Sequence, residues 1–222
     1  APAMTPLETY FNGRILVINL ARRPDRWAHC EAQFKKHGIT TAERIDAVDA
    51  PLLDGKPNGN LGCTLSHRKV LDLIVKKKWP RALVLEDDFD ILHEDFQGKF
   101  ERMSKQVPAD FDMLYLGGHY QEPPLARVSA HVIRCGGMLT TSSYAVSLAM
   151  AKTLQPHIQG VGPIDSLYCG FHRKHRCYIT QPRLMVQYAN VSDLQEREMS
   201  NAACMLDSAH EKMVRTSRSP IS

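Results

Sequence analysis

Three consecutive acids, Glu86-Asp87-Asp88, follow directly on four apolar residues, Ala82-Leu83-Val84-Leu85. Packing does not account for them, because carboxylates crowded at the buried end of a strand repel one another unless a cation offsets the charge. A divalent metal is the simplest counter-charge, and oxygen ligands favour Mg²⁺ or Mn²⁺ over zinc. If the strand stays extended through the acids, alternation turns Glu86 and Asp88 to one side and Asp87 to the other, giving a two-acid metal platform. The competing reading makes the acids caps of the next helix or solvated residues. Acids in this arrangement also serve phosphatases and nucleases, so they name a metal and not a reaction.

Asp165 begins an expected helix from Ile164 to His172, after Gly160-Val161-Gly162-Pro163. Its carboxylate suits the removal of a proton from a hydroxyl, and equally suits a helix cap. Cys63 and His67 stand four apart on another expected helix and are within reach of one metal, but no second ligand pair completes a tetrahedral set. Packing in or near the core is the favoured reading for that pair.

These residues need a frame. Ile15 to Leu20 has the short, β-branched, apolar character of a buried parallel strand. Pro24 suits the first turn of a helix through Trp27, Cys30, Phe34 and His37, and Gly38 is placed to stop it. A strand over about 41–48 follows, then a helix from Leu61 to Trp79 ended by Pro80. Ala82 to Leu85 is the clearest strand, and a helix over 96–105 and a strand over 111–116 come next. Beyond Gly117-Gly118 the alternation fades. Short strands near 131–134 and 138–146, helices over 147–154 and 164–172, and late strands at 178–179 and 184–186 complete the reading.

Strand and helix alternating through the first half predict an α/β fold with a mostly parallel sheet flanked by helices, whose ligands gather at the carboxyl ends of the strands. That rule sets Asn19 and Arg22, at and just past the end of the first strand, beside Glu86, Asp87 and Asp88. Asp49 lies beyond the second strand. All of these are positions where a nucleotide-binding fold contacts base and phosphates.

With 222 residues and 43% hydrophobic content, the chain can bury one sizeable core. The expected division is an N-terminal extension over 1–13, a domain over 14–195 and a polar, partly helical tail over 196–222. Lys and Arg exceed Asp and Glu by 28 to 24, a small excess that suits anionic ligands. The densest basic run, Lys76-Lys77-Lys78, belongs at a helix end, so a nucleic-acid partner is not expected. No window has the length of an apolar membrane span, and Ala1 to Arg14 lacks the apolar stretch of a secretory signal. Six widely and irregularly spaced cysteines fit reduced thiols. A cytoplasmic protein is expected, with the basic tail from Arg215 touching the anionic face of the inner membrane.

The segments Asn19-Leu20-Ala21-Arg22-Arg23-Pro24-Asp25-Arg26, Asp46-Ala47-Val48-Asp49, Leu61-Gly62-Cys63-Thr64-Leu65-Ser66-His67 and Leu83-Val84-Leu85-Glu86-Asp87-Asp88 occur in that order. Together they resemble glycosyltransferase family 25, which holds bacterial lipooligosaccharide galactosyltransferases and is similar to the collagen galactosyltransferase domain. The resemblance continues through Asp112 to Gly117, Ser143 to Ser147, Pro163-Ile164-Asp165 and Val191-Ser192-Asp193, covering roughly residues 14 to 193. It implies a glycosyltransferase A-type fold, a UDP-sugar donor, often UDP-galactose, a glycan acceptor such as lipooligosaccharide, and inversion at the anomeric carbon.

The resemblance also implies roles. Glu86 and Asp88 hold Mn²⁺ or Mg²⁺, with Asp193 as a further ligand and Asp88 the leading single candidate. Asn19, Arg22, Asp49, Ser66, His67, Asp87 and Gln187 line the donor site, and Asp165 is the base. Asp87 either fixes the ribose or holds a basic neighbour, and His67 either lines the site or anchors its helix. Asn60 departs from the acid that many relatives carry there, and Thr140-Thr141 replace frequent aromatics. Two rivals remain: a non-catalytic nucleotide-sugar-binding partner in a glycan-assembly complex, and a metal-dependent phosphodiesterase or nuclease. The second lacks the extra His and Asp ligands that two-metal chemistry needs.

Overall fold

The computed structural model describes residues 3–50, 52–53, 56–160, 162–188, 190–191 and 198–199. Thr5 caps α1 (Pro6–Tyr10), and Leu7 and Phe11 are buried against Phe100 and its neighbours, so the segment set apart as an extension packs into the domain. β1 (Ile15–Asn19) is buried along its length. α2 (Pro24–Lys36) starts on a proline whose fixed φ suits a first helical turn. Gly38 ends it at φ +68°, a conformation that costs a side chain energy. β2 (Ala42–Asp46) and a small ladder of β3 (Leu52–Leu53) with β4 (Lys56–Pro57) lead to α3 (Gly59–Lys77). Asn58 caps α3 by accepting a bond from the Leu61 amide, and Lys78 closes it in the left-handed region. The lysine run therefore sits at an exposed helix end.

β5 (Arg81–Glu86), β6 (Phe89–Ile91), α4 (Phe96–Ser104), β7 (Met113–Tyr115), β8 (His119–Glu122), β9 (Ala126–Arg127) and β10 (Val132–Arg134) follow. Then come β11 (Gly137–Leu139), β12 (Ser143–Ser147), α5 (Leu148–Leu154), α6 (Ile164–His172), β13 (Cys177–Thr180) and β14 (Met185–Gln187). Last, β15 (Asn190–Val191) pairs with β16 (Glu198–Met199), a short strand within the expected tail. The remainder of the tail and Asp193 lie outside the described residues. Among the described residues no helix is long and apolar enough to cross a membrane.

The eight-stranded sheet has the order β2-β1-β5-β12-β7-β13-β10-β9. β2, β1 and β5 are parallel, β13 is parallel to β7, and β12 and β10 oppose their neighbours. Alternation along the strands divides the core. Leu16 and Ile18 of β1 and Val84 of β5 face α3, α5 and α6, while Ile15, Val17, Leu83 and Leu85 face α1, α2 and α4. Each such apolar side chain contributes about 1.5–3 kcal/mol on burial. The result is the mostly parallel, doubly covered α/β sheet expected of a glycosyltransferase A-type domain.

Two elements differ from expectation. The strand expected over 138–146 is split into β11 and β12 because Thr140 takes φ +68°, and β11 leaves the main sheet to pair with β8. The acids do not continue the strand either: β5 stops at Glu86 and the chain turns through Asp87 and Asp88 into β6, which pairs with β14. The extended alternation of the three acids therefore does not hold.

Candidate active site

The carboxyl ends of β1, β2 and β5 open into a cleft. Its lining includes Arg22, Asp49, Ser66, His67, Gln187 and all three acids of the 86–88 run. Parallel strands put their ends side by side, which is why residues from three distant segments meet here.

Each acid has its own holder. Glu86 Oε1 lies 3.2 Å from His67 Nε2 and accepts a bond from Thr141 Oγ1 at 2.5 Å. A carboxylate only accepts, so Nε2 carries the imidazole proton, and Nδ1, 2.8 Å away, accepts from the Tyr144 hydroxyl. Burial pushes the Glu86 carboxyl up, but the hydrogen bonds from His67 and Thr141 and the charge of Arg26 outweigh it and hold it low. Asp87 accepts from Asn19 Nδ2 at 2.6 Å and pairs with Arg26 at 2.9 Å. Asp87 is thus the acid that holds a basic neighbour. Burial still raises its pKa against the pull of Arg26 and Asn19.

Asp88 is the least satisfied of the three. Gln187 Nε2 donates to Oδ2 at 2.9 Å, Arg26 stands 3.7 Å off, and buried Oδ1 has no hydrogen-bond partner. Burial first, and then the charge of Glu86, drive its carboxyl up despite Gln187 and Arg26. Such a group is short of positive charge, and a divalent cation would supply it. The oxygen donors of Asp88 and Glu86 fit a hard ion of the Mg²⁺ or Mn²⁺ class.

At the mouth, Arg22 and Asp49 form an exposed ion pair at 3.2 Å. Ser66 is buried and works on the backbone: its hydroxyl donates to the Gly62 carbonyl at 2.6 Å and accepts from the Val48 amide at 2.8 Å. It thereby ties α3 to the loop whose residues 47–50 line the cleft. Gly62 is required at that contact, since a Cβ there would lie 2.7 Å from the Val48 carbonyl oxygen.

The Glyco_transf_25 profile, described as glycosyltransferase family 25 (LPS biosynthesis protein), matches residues 56–167, half of the chain. The chain belongs to glycosyltransferase family 25. Relatives include a protein named probable inactive glycosyltransferase 25 family member 3 of Bos taurus, 27% identical over 74% of this chain and 32% of its own. A procollagen lysyl hydroxylase and glycosyltransferase of Acanthamoeba polyphaga mimivirus is 28% identical over 80% of this chain and 25% of its own. Procollagen galactosyltransferase 1 of Danio rerio is 24% identical, with 72% and 32% covered. The chain thus spans a quarter to a third of these relatives' length. Among solved structures, a glycosyltransferase involved in glycosylation of the major capsid of PBCV-1 aligns with TM-score 0.46 at 10% identity, covering 81% of this chain and 93% of that one.

The cleft draws together most of the residues singled out in the sequence. Arg22, Asp49, Ser66, His67, Glu86, Asp87, Asp88 and Gln187 line the cleft, and Asn19 stands directly behind Asp87. Asp165 is not among the lining residues. At the start of α6 its Oδ1 accepts from the Ser166 amide at 2.7 Å and its Oδ2 from the Thr140 amide at 3.3 Å, which bridges the helix to the turn before β12. Cys63 and His67 share the cleft with a third ligand-bearing group, Glu86.

Sequence reasoning assigned no role to Arg26, Thr141 or Tyr144. Arg26 closes the Asn19–Arg26 motif and falls in the first turn of the helix that Pro24 opens, just past the end of β1. That was the available signal. Nothing in the spacing announced Thr141 or Tyr144, which reach Glu86 and His67 across 55 and 77 residues.

Proposed function

We propose that this family 25 domain transfers a sugar from a UDP-sugar, with UDP-galactose the first donor to test, to a glycan acceptor such as lipooligosaccharide, inverting the anomeric centre. The observation that carries the reading is Asp88: a buried carboxylate with an unpartnered oxygen, next to Glu86, in the cleft at the carboxyl ends of the parallel strands. Support also comes from the family and from the word galactosyltransferase in one relative's name.

In this proposal Glu86 and Asp88 hold Mn²⁺ or Mg²⁺, with Asp193 as a further ligand. The ion, when bound, supplies positive charge for the diphosphate oxygen that leaves the sugar. The chain's own residues do the rest. Gln187 orients Asp88; Asn19 and Arg26 fix Asp87; His67 and Thr141 fix Glu86. The 47–50 loop, held by Ser66, forms the nucleoside wall, and Arg22 with Asp49 forms its rim. Asp165 takes the proton from the acceptor hydroxyl as it attacks the face opposite the leaving group. The reaction is placed in the cytoplasm, with the basic tail against the inner membrane; anionic vesicles that fail to bind the protein at low salt would remove that last part.

A second reading, a donor-binding protein without turnover, is favoured by the word inactive in some relatives' names. Release of UDP from UDP-sugars, assayed with Mn²⁺ and a panel of glycan acceptors, separates the two. Acceptor-dependent release that falls about 10²–10⁴-fold in Asp165→Asn supports the transferase with Asp165 as base. Donor binding without release for any acceptor supports the second reading.

A further inference from the structure

α3 carries Cys63 and His67 four residues apart, so both side chains leave the same face of the helix. That face looks across the cleft to the end of β5. One ligand atom from each of Cys63, His67 and Glu86 lies within 4.8 Å of the other two, and all three residues line the cleft. We propose that Cys63, His67 and Glu86 form a second cation site, built for a thiophilic divalent ion of the Zn²⁺ class, with its fourth position open to the cleft.

The dimensions fit. Zinc holds nitrogen and oxygen ligands at about 2.0–2.2 Å, which in a tetrahedron sets those atoms about 3.4 Å apart. His67 Nε2 and Glu86 Oε1 are 3.2 Å apart. A thiolate at about 2.3 Å from zinc stands about 3.6 Å from each of the other ligand atoms, so Cys63, now within 4.8 Å of both, needs to close by no more than about 1.2 Å, within the reach of a χ1 adjustment. Sulfur, imidazole and one carboxylate form a soft, three-ligand set of the kind that keeps an exchangeable fourth position, unlike the all-oxygen set at Asp88.

The surroundings are those of a supported metal ligand. His67 is fully buried, and its far nitrogen meets the Tyr144 hydroxyl at 2.8 Å, which in turn meets the Tyr168 hydroxyl at 3.2 Å. Metal on Nε2 moves the ring proton to Nδ1, which then donates to the Tyr144 oxygen while Tyr144 donates to Tyr168. The Cys63 thiol proton leaves to solvent, so one proton is released for each ion bound. Glu86 is shared with the Asp88 cluster. On the donor-site reading proposed above, zinc at this position withdraws Glu86 and antagonises Mn²⁺-dependent UDP binding.

The test uses chelator-stripped protein titrated with Co²⁺ and then Zn²⁺. Wild type is expected to take one ion with a near-ultraviolet Co²⁺–thiolate charge-transfer band. Cys63→Ser should lack that band and bind Zn²⁺ at least about 100-fold more weakly, while Cys169→Ser keeps both. A wild type without the band, or a Cys63→Ser that binds Zn²⁺ as tightly, overturns the proposal. If Cys63→Ser does not fold, X-ray absorption of zinc-loaded wild type decides: one sulfur with nitrogen and oxygen supports the site, and a shell without sulfur overturns it. UDP titration with Mn²⁺, before and after zinc, is read separately. Failure of UDP to bind under any metal refutes the donor-site reading and leaves the cobalt result to judge the zinc site.

Discussion

Glu8→Gln tests how the amino-terminal segment is locked to the domain. Glu8 is fully buried on α1 and serves only as an acceptor. Oε2 takes bonds from the Thr5 amide at 2.7 Å and hydroxyl at 2.9 Å, and Oε1 from the Thr40 amide at 2.5 Å, its hydroxyl at 3.0 Å and the Thr41 amide at 2.8 Å. Burial alone would raise its pKa, but the bonds from Thr5 and Thr40 bring it down from 4.5 to about 2. A group depressed in the folded state stabilises fully above its unfolded pKa, and that contribution is lost as pH falls from about 4.5 toward 2. The depression corresponds to about 3 kcal/mol at neutral pH. Glutamine replaces one oxygen by an NH₂ group that faces N–H and O–H donors, so it forfeits a similar amount. At about 2–4 °C per kcal/mol for a domain of this size, the midpoint of thermal unfolding should drop by about 6–12 °C at neutral pH. The gap between wild type and Glu8→Gln should then narrow as the pH is taken below about 4.5. Midpoints within about 2 °C of each other at neutral pH, or a gap that does not change with pH, would refute the reasoning.

Arg26→Met removes the guanidinium 2.9 Å from Asp87 and 3.7 Å from Asp88 and should cost about 3–5 kcal/mol in chemical denaturation, part of it regained on adding Mn²⁺; no loss, or no metal effect, counts against the charge balance described. Thr141→Val keeps the side-chain shape but deletes the donor to Glu86, and should weaken Mn²⁺ binding about 10-fold by calorimetry, with Thr141→Ser restoring it. Gly62→Ala puts a methyl 2.7 Å from the Val48 carbonyl, so α3 and the 47–50 loop must separate; a stability loss of about 1–3 kcal/mol and weaker UDP binding are expected, and unchanged UDP affinity would detach that loop from the donor site.

The first half of the fold was legible because its signals are local. β1, α2, α3 and β5 each carry an apolar period and a proline or glycine boundary, and the observed ends fall within a few residues of those read from the sequence. The acidic run was legible because three carboxylates after a buried strand have no packing explanation. Harder to read was the second half. A short buried strand looks the same whether it runs parallel or antiparallel, so β12 gave no sign that it enters the sheet reversed between β5 and β7. Thr140 at φ +68° breaks what reads as one strand, and a threonine does not advertise that conformation as a glycine would. The turn at Asp87-Asp88 is imposed by β6 pairing with β14, about 95 residues away, and contacts of that range leave no trace in spacing. For the same reason Asp165 reads alike as base or cap, and its carboxylate in fact accepts two backbone amides.

The central claim is that Asp88 holds a metal through which a uridine nucleotide binds in the cleft. Calorimetric titration of the protein with UDP, in Mn²⁺ and then in excess chelator, on wild type and Asp88→Asn, tests it most directly. The account predicts binding only with Mn²⁺ and only in wild type, while Asp88→Asn stays folded because it loses a carboxylate that burial disfavours. UDP binding that persists in chelator, or that survives unchanged in Asp88→Asn, would contradict it.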